Sequence, residues 1–391
     1  MSPLIRLFAC FIALMMAMGI GRFALTPQMP HLISEGQIDL TDAGLVAAAN
    51  YLGYFVGAVD SMFARSHHHV RGRLLGGLWL CVLLTLASFW ADGFWSHLLL
   101  RFGTGVASAW ALVMITGLSQ PLAIAAGRAK WGALVFAGPG LGIFLTGLLA
   151  LGSNMLGQDS RTLWLVYGVV ALTLLLAILP FLPRPHVDGA VPPTANASIN
   201  GKIVHLGWIY ALYGMGYIIP ATFLSQMASS RFQGAWQADL FWPCFGLAAA
   251  AGVLLVSLRV PNPETTHRWL MATLWIQAAG VFACLLGNGV GLALGVLLCG
   301  LPFLACMQLV MQRLREVAPH GTQRSTGLLT ACFAAGQLSG PLLASLSSHF
   351  SGNLQPALIV AGSGLLLAGA LLLRPKHADG RGQKLRQPAT R

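Results

Sequence analysis

Long apolar runs dominate the chain, broken at intervals by short clusters of glycine, proline and charge. Twelve runs are each about 20 residues or more, the length that crosses a hydrocarbon layer about 30 Å thick. They lie near 4–33, 42–63, 72–91, 95–121, 131–155, 161–183, 203–228, 239–258, 268–287, 289–313, 322–349 and 354–373. The gap at Gly287–Val290 is very short. The first run has no small-residue cleavage site at a sensible position and is longer than the apolar core of a secretory signal. It reads as an uncleaved first span. The pattern predicts an all-α polytopic membrane protein with twelve transmembrane helices.

Composition agrees. The 391 residues are 56% hydrophobic and 9% charged, against about 25% charged in a soluble domain. A net charge of +12 would suggest nucleic acid in a soluble protein, but its distribution excludes that. With a cytoplasmic N-terminus, the inner segments hold Arg6, Arg65, Arg71, Arg73, Arg128, Lys130, Arg184, Lys202, Arg259, Arg268, Arg313, Arg315, Arg324 and the basic tail. The outer loops hold only Arg161 and Arg231. Excess Lys and Arg in alternate loops sets orientation, so both termini are expected in the cytoplasm of a bacterial-type inner membrane. Acidic residues (Glu35, Asp39, Asp42, Asp92, Asp159, Asp239) lean outward. The seven cysteines fall inside spans without a C-x-x-C pair, and read as buried, inert thiols.

The longest polar interruption, Pro183 to Lys202, separates spans six and seven. The expected organisation is a six-helix bundle at 1–183, a cytoplasmic linker at 184–202, a second bundle at 203–373 and a basic cytoplasmic tail at 374–391. The halves echo each other. "MGIGRFALTP" in span one matches "YGMGYIIPAT" in span seven, pairing Gly19 and Gly21 with Gly214 and Gly216. Gly138-Pro139 in span five pairs with Gly340-Pro341 in span eleven. Parallel six-span repeats are a transporter plan with the substrate site between halves near the midplane. A proline in mid-span removes a backbone bond and bends a helix. These Gly-Pro pairs are therefore candidate gating positions, with static packing as the alternative.

The stretches "GIGRFALTPQMP", "AGLVAAANYLGYFVGA" and "YGMGYIIPATFLSQMA" resemble the major facilitator superfamily, and within it the YbfB/YjiJ-type subgroup. That resemblance implies two pseudo-symmetric six-helix bundles and alternating access. Fold alone does not imply a substrate. Three superfamily motifs map onto residues here. The loop after span two carries a shortened form, Gly57-Ala58-Val59-Asp60 followed by Arg65, Arg71 and Arg73, which implies a conformational latch at Asp60, Arg71 and Arg73. Span four carries Arg101 and Gly105 in the expected Arg-x-x-x-Gly, often linked to proton coupling. Span five carries Gly138-Pro139-Gly140-Leu141-Gly142, the centre of an antiporter motif, although Leu134 replaces its preceding small residue.

Charge inside the membrane points to the site. An arginine at the bilayer centre costs roughly 2.5–3.5 kcal/mol on insertion scales, so such residues face a cavity or a partner. Arg22 and Arg101 both fall in the outer half, and Asp60 lies near the cytoplasmic end. Each arginine could instead snorkel or clamp helix-end carbonyls. Arginine's planar fork suits carboxylate or phosphate. Spans one, four, seven and ten carry no Asp or Glu in mid-membrane, which argues against cationic drugs and leaves proton coupling without an obvious carrier. Asp60, Asp239 and His97 sit near the membrane edges, where solvated or capping roles are expected. Tyr210, Tyr213 and Tyr217 share a face of span seven, Asn50 and Tyr54 a face of span two, and Gln226 and Gln308 are further cavity candidates. Trp90, Trp95, Trp236 and Trp242 read as interface anchors.

His67–His69 lack a fourth ligand and a rigid frame, so no metal is expected. The tail is expected to meet anionic lipid heads at the cytoplasmic face. No catalytic cluster, cofactor loop or nucleotide cradle is visible. The reading is a monomeric secondary transporter of a small organic solute, anionic or neutral, with the proton gradient as energy source and export as the expected direction. A broad-specificity multidrug antiporter is the alternative, and a membrane enzyme or receptor the remote one.

Overall fold

The computed structural model describes residues 2–64, 66–128, 131–184, 200–233, 235–259, 263–318 and 323–373. Within them the chain is helical, with no strand. The helices are α1 (Pro3–Ser34), α2 (Leu40–Ser61), α3 (His67–Trp90), α4 (Gly93–Ala125), α5 (Trp131–Met155) and α6 (Ser160–Phe181). Then follow α7 (Gly201–Phe232), α8 (Trp236–Arg259), α9 (Pro263–Cys284), α10 (Gly289–Val317), α11 (Gln323–Ser351) and α12 (Gln355–Leu371). Each corresponds to one apolar run. Among the described residues nine are long and apolar enough to cross a membrane; α2 and α9 fall outside that set, and α12 is shorter. The linker at 185–199 and the tail at 374–391 lie outside the described residues, as do Arg65 and Lys130.

Local chemistry sets the helix ends. Asp39 and Asp42 form a reciprocal capping box at α2, and Ser66, Asp159, Asn200 and Asn288 each accept from an orphan N–H of the first turn. The short α9–α10 gap closes because Gly287 adopts φ +62, a left-handed turn that costs glycine little.

The helices pack as two sets of six. In the first, α4 packs on α2 and α3; in the second, α10 packs on α8 and α9, and α7 on α11 and α12. The sets meet chiefly along α2 with α11 and α5 with α8. A contact repeats between them. A Cβ on Gly53 of α2 would collide with the Phe102 carbonyl of α4, and one on Gly252 of α8 with the Leu301 carbonyl of α10. Glycine thus lets corresponding helix pairs approach to backbone contact, the membrane solution where packing replaces the hydrophobic drive.

Several expectations change. Trp242 is no interface anchor: it is buried and its indole N–H reaches Thr146 Oγ1 at 3.4 Å, whereas Trp90, Trp95 and Trp236 are exposed. His97 is buried rather than solvated, 1% exposed. Cys244 is exposed and Cys332 partly so, while the other five thiols are buried. The break in α5 falls before Gly138-Pro139, at the turn linking Trp131–Leu134 to Ala137–Met155, so Pro139 sits in the first turn of the resumed helix where its missing N–H costs nothing.

Candidate substrate site

The centre of α1 is not α-helical. Met15–Arg22 forms two turns of π-helix, with the Phe23 N–H bonding the Met18 carbonyl at 3.0 Å. π-Turns are rare and frequent at functional sites. Its glycines permit close crossings. A Cβ on Gly19 would strike the backbone of Gly142 in α5, and one on Gly21 would come to 3.0 Å from Cys81 Sγ in α3. Gly142 and Gly138 meet the Met15 and Phe11 carbonyls in turn. The π-stretch is thereby clamped between α3 and α5, with Arg22 at its end.

Arg22 is 2% exposed. Its guanidinium carbon lies 3.5 Å from the centre of the Tyr54 ring, 5.3 Å from Tyr51 and 5.4 Å from Phe23. Nη2 donates to Gln337 Oε1 of α11 at 2.5 Å, and the Gln337 amide donates onward to the Tyr217 hydroxyl of α7. Nε and Nη1 have no partner, nor has the Tyr54 hydroxyl. No carboxylate pairs with Arg22 among the described residues. Desolvated cation–π contacts are worth about 2 kcal/mol, which offsets part of the cost of burial. The two free donors remain available to an anion.

Aromatic rings wall this position. Tyr210, Tyr213 and Tyr217 of α7 stack on Phe333 of α11 at 4.6, 5.6 and 5.7 Å between centroids. Tyr217 leans on Phe303 of α10 at 4.7 Å. Phe303 in turn meets Phe245 and, from the first six-helix set, Phe23 at 5.8 Å. Tyr213 donates to the Phe303 carbonyl at 2.5 Å, holding α7 to α10. The Tyr51 hydroxyl and Thr222 Oγ1 are 2.8 Å apart, joining α2 to α7.

Arg101 has a different setting. It is fully buried, with Nη2 on Ser88 Oγ at 2.6 Å, Nη1 on the Gly21 carbonyl at 3.4 Å, and its guanidinium carbon 4.5 Å from the Trp164 ring centre. It braces the residue before Arg22 and the inside of the first six-helix set. The expected pair of arginines is thus linked through the π-helix backbone, with Arg22 facing Tyr54, Tyr51 and Phe23 and Arg101 facing Trp164.

The other candidates divide. Tyr54 lies against Arg22, Tyr217 reaches it through Gln337, and Tyr213 stacks on Tyr217 at 5.1 Å. Asn50 donates to the Arg101 carbonyl at 2.9 Å and Thr104 Oγ1 at 3.1 Å, binding α2 to α4 at the point where Gly105 meets the Asn50 carbonyl. Gln308 donates to Ser257 Oγ at 3.0 Å and leaves its oxygen unpartnered. Gln226 donates to Ser230 Oγ at 3.3 Å.

Of the gating candidates, Asp60 receives both Nε (2.7 Å) and Nη2 (3.0 Å) of Arg73 and the Trp110 indole at 2.8 Å. That pins α2, α3 and α4 at one end, while Arg71 is exposed. Gly340 packs on Ile218 of α7, and Pro341 is buried beside it. Gln337 was not a sequence candidate. The available signal was a lone amide in an apolar run, one residue after Gly336.

Comparison with known proteins fits this architecture. The human organic anion transporter MFSD10 (TETRAN) superposes with a TM-score of 0.67, covering 95% of this chain and 100% of that one at 17% identity. At that identity the likeness concerns the fold alone. More specifically, residues 14–373 match the family described as "Uncharacterised MFS-type transporter YbfB", and the chain belongs to it. A 3-(3-hydroxy-phenyl)propionate transporter of Escherichia coli (strain K12) is 25% identical over 352 residues, covering 85% of this chain and 84% of that protein.

Proposed function

We propose that this chain moves a small organic acid carrying an aromatic ring across the bacterial inner membrane. The observation that carries the reading is Arg22, a buried guanidinium with two unpartnered donors, faced by Tyr54, Tyr51 and Phe23 of the first six-helix set and joined through Gln337 to Tyr217 of the second. A carboxylate bonds such a fork bidentately, and the rings suit a planar apolar body. The relative that transports a hydroxyphenylpropionate handles the same chemistry. Movement is by alternating access of the halves 1–183 and 203–373 about the linker 184–202, with both termini cytoplasmic, coupled to the proton gradient. Export is supported by the span-five motif, whose glycines touch both α1 and α8.

The test is uptake of 3-(3-hydroxyphenyl)propionate into proteoliposomes with an imposed pH gradient, alongside its methyl ester. The acid should be carried and the ester not. Arg22→Gln should reduce uptake by roughly 10- to 100-fold, the loss of a charged hydrogen-bond set worth about 1.5–3 kcal/mol. Flux independent of the gradient would remove proton coupling. The aromatic wall also suits a broad-specificity exporter of lipophilic compounds. That second reading requires Arg22→Gln to leave transport intact and unrelated lipophiles to compete.

A further inference from the structure

Away from the central arginine, a cavity of about 760 Å³ opens where the ends of α7, α9, α10 and α12 diverge on the face that carries the chain's termini. Its polar rim holds Lys202, Arg268 and Arg313 against the single carboxylate of Glu264. Arg313 is ion-paired with Glu316 at 2.7 Å. No ion pair engages Lys202 or Arg268 among the described residues. The floor is apolar, with Leu206, Ile209 and Met271. The α7 and α9 N-termini open onto this rim, and helix N-termini favour anions.

A second cavity adjoins it. A groove of about 380 Å³ lies between α8, α9 and α10, lined by Leu255, Ile276 and Leu301 and almost without polar surface. Arg268 lines both. A cationic rim over an apolar slot, joined at one arginine, is the shape of a site for a molecule with an anionic head and a hydrocarbon chain.

We infer that these two cavities form one site for an anionic phospholipid. Its phosphate sits between Lys202 and Arg268, and one acyl chain lies in the α8–α9–α10 groove. The inference rests only on the chain's spanning a membrane, and it is independent of the substrate reading. A soluble phosphate would use the rim alone and leave the groove empty; a lipid uses both.

Native mass spectrometry of the full-length protein, titrated with phosphatidylglycerol or phosphatidylcholine, reads this directly. Phosphatidylglycerol should be retained at least about fivefold better, and Lys202→Gln and Arg268→Gln should each lower its retention about fivefold, the factor expected for one basic side chain at an anionic surface. Ala272→Phe, which fills the groove and removes no charge, should lower phosphatidylglycerol retention as well. Inorganic phosphate at millimolar concentration should not raise the melting temperature. Equal retention of the two lipids would overturn the inference, as would charge variants that bind like the parent. A phosphate-induced stabilisation with Ala272→Phe silent would also overturn it and assign the rim to a soluble anion. Should the Arg268 variant fail to fold, Lys202→Gln at the exposed start of α7 decides alone.

Discussion

A cation buried in a membrane protein needs a stated compensation, and Arg22 has an incomplete one. Its compensation is neutral: one amide oxygen from Gln337 and the faces of Tyr54 and Tyr51. Supplying a carboxylate there should satisfy the arginine internally. We therefore expect Gln337→Glu to raise the melting temperature and to weaken binding of an aromatic carboxylate at least tenfold, both readable in one ligand thermal-shift series. If binding is unchanged, Arg22 does not meet the acid. Tyr54→Phe separates binding from stability. Its hydroxyl has no partner, so deleting it should leave stability unchanged or raise it by up to about 1–3 kcal/mol, the cost of an unsatisfied buried donor. Loss of affinity in that variant would place the hydroxyl on the substrate. Arg22 itself was legible as a lone charge at the end of an apolar run. Gln337 was not, because an uncharged amide beside glycine reads as ordinary interhelical packing. Asn50 shows the converse: it looked like a lining residue, yet its donors are spent on α4. A sequence gives a polar side chain's span but not which neighbour takes its hydrogen bonds.

At the scale of the element, α1 departs most from expectation. The twelve helices follow the apolar runs closely, since a membrane span must satisfy its backbone within itself. The π-stretch at Met15–Arg22 left no mark in that pattern, because uniformly apolar residues carry no periodicity by which to tell turns of different size. Its glycines were visible, but their partners were not. The paired glycines of α1 and α7 show how far the internal repeat reaches. Gly19 and Gly214 both meet the matching helix of their own half, α5 and α11, whereas Gly21 faces Cys81 of α3 and Gly216 faces Leu365 of α12. The crossings carry stability. Gly19→Ala puts a Cβ into the Gly142 backbone, where neither side can rotate away, and overpacking of that kind costs about 1–3 kcal/mol. Gly152→Ala in α5 meets nothing within 4 Å and should be neutral or stabilising by up to about 1 kcal/mol, the helix preference of alanine over glycine. Melting temperatures of the two variants in the same detergent check the contrast. Equal behaviour would mean the α1–α5 crossing is loose.

For the whole molecule, the proposed alternating access requires contacts between the halves to break on one side at a time. The side opposite the termini, outer under the proposed orientation, is closed here. Asn154 at the end of α5 donates to Asp239 at the start of α8 at 2.6 Å, Tyr51 meets Thr222, and Thr26 reaches the Ala221 carbonyl at 3.4 Å. Each joins one half to the other, and Asn154–Asp239 lies outermost. Tying that pair covalently should hold the outer side shut whatever the substrate does. With Asn154→Cys and Asp239→Cys combined, oxidation should reduce transport by more than tenfold and a reductant should restore it. Either single variant, with Cys244 and Cys332 replaced by Ala, should be insensitive to oxidant, because the five remaining native thiols are buried. The acid should still bind the oxidised protein, with its affinity kept while its flux is lost. If the cross-linked protein carried substrate at the parent rate, the closed outer ends would be a static seam and the halves would move about some other line.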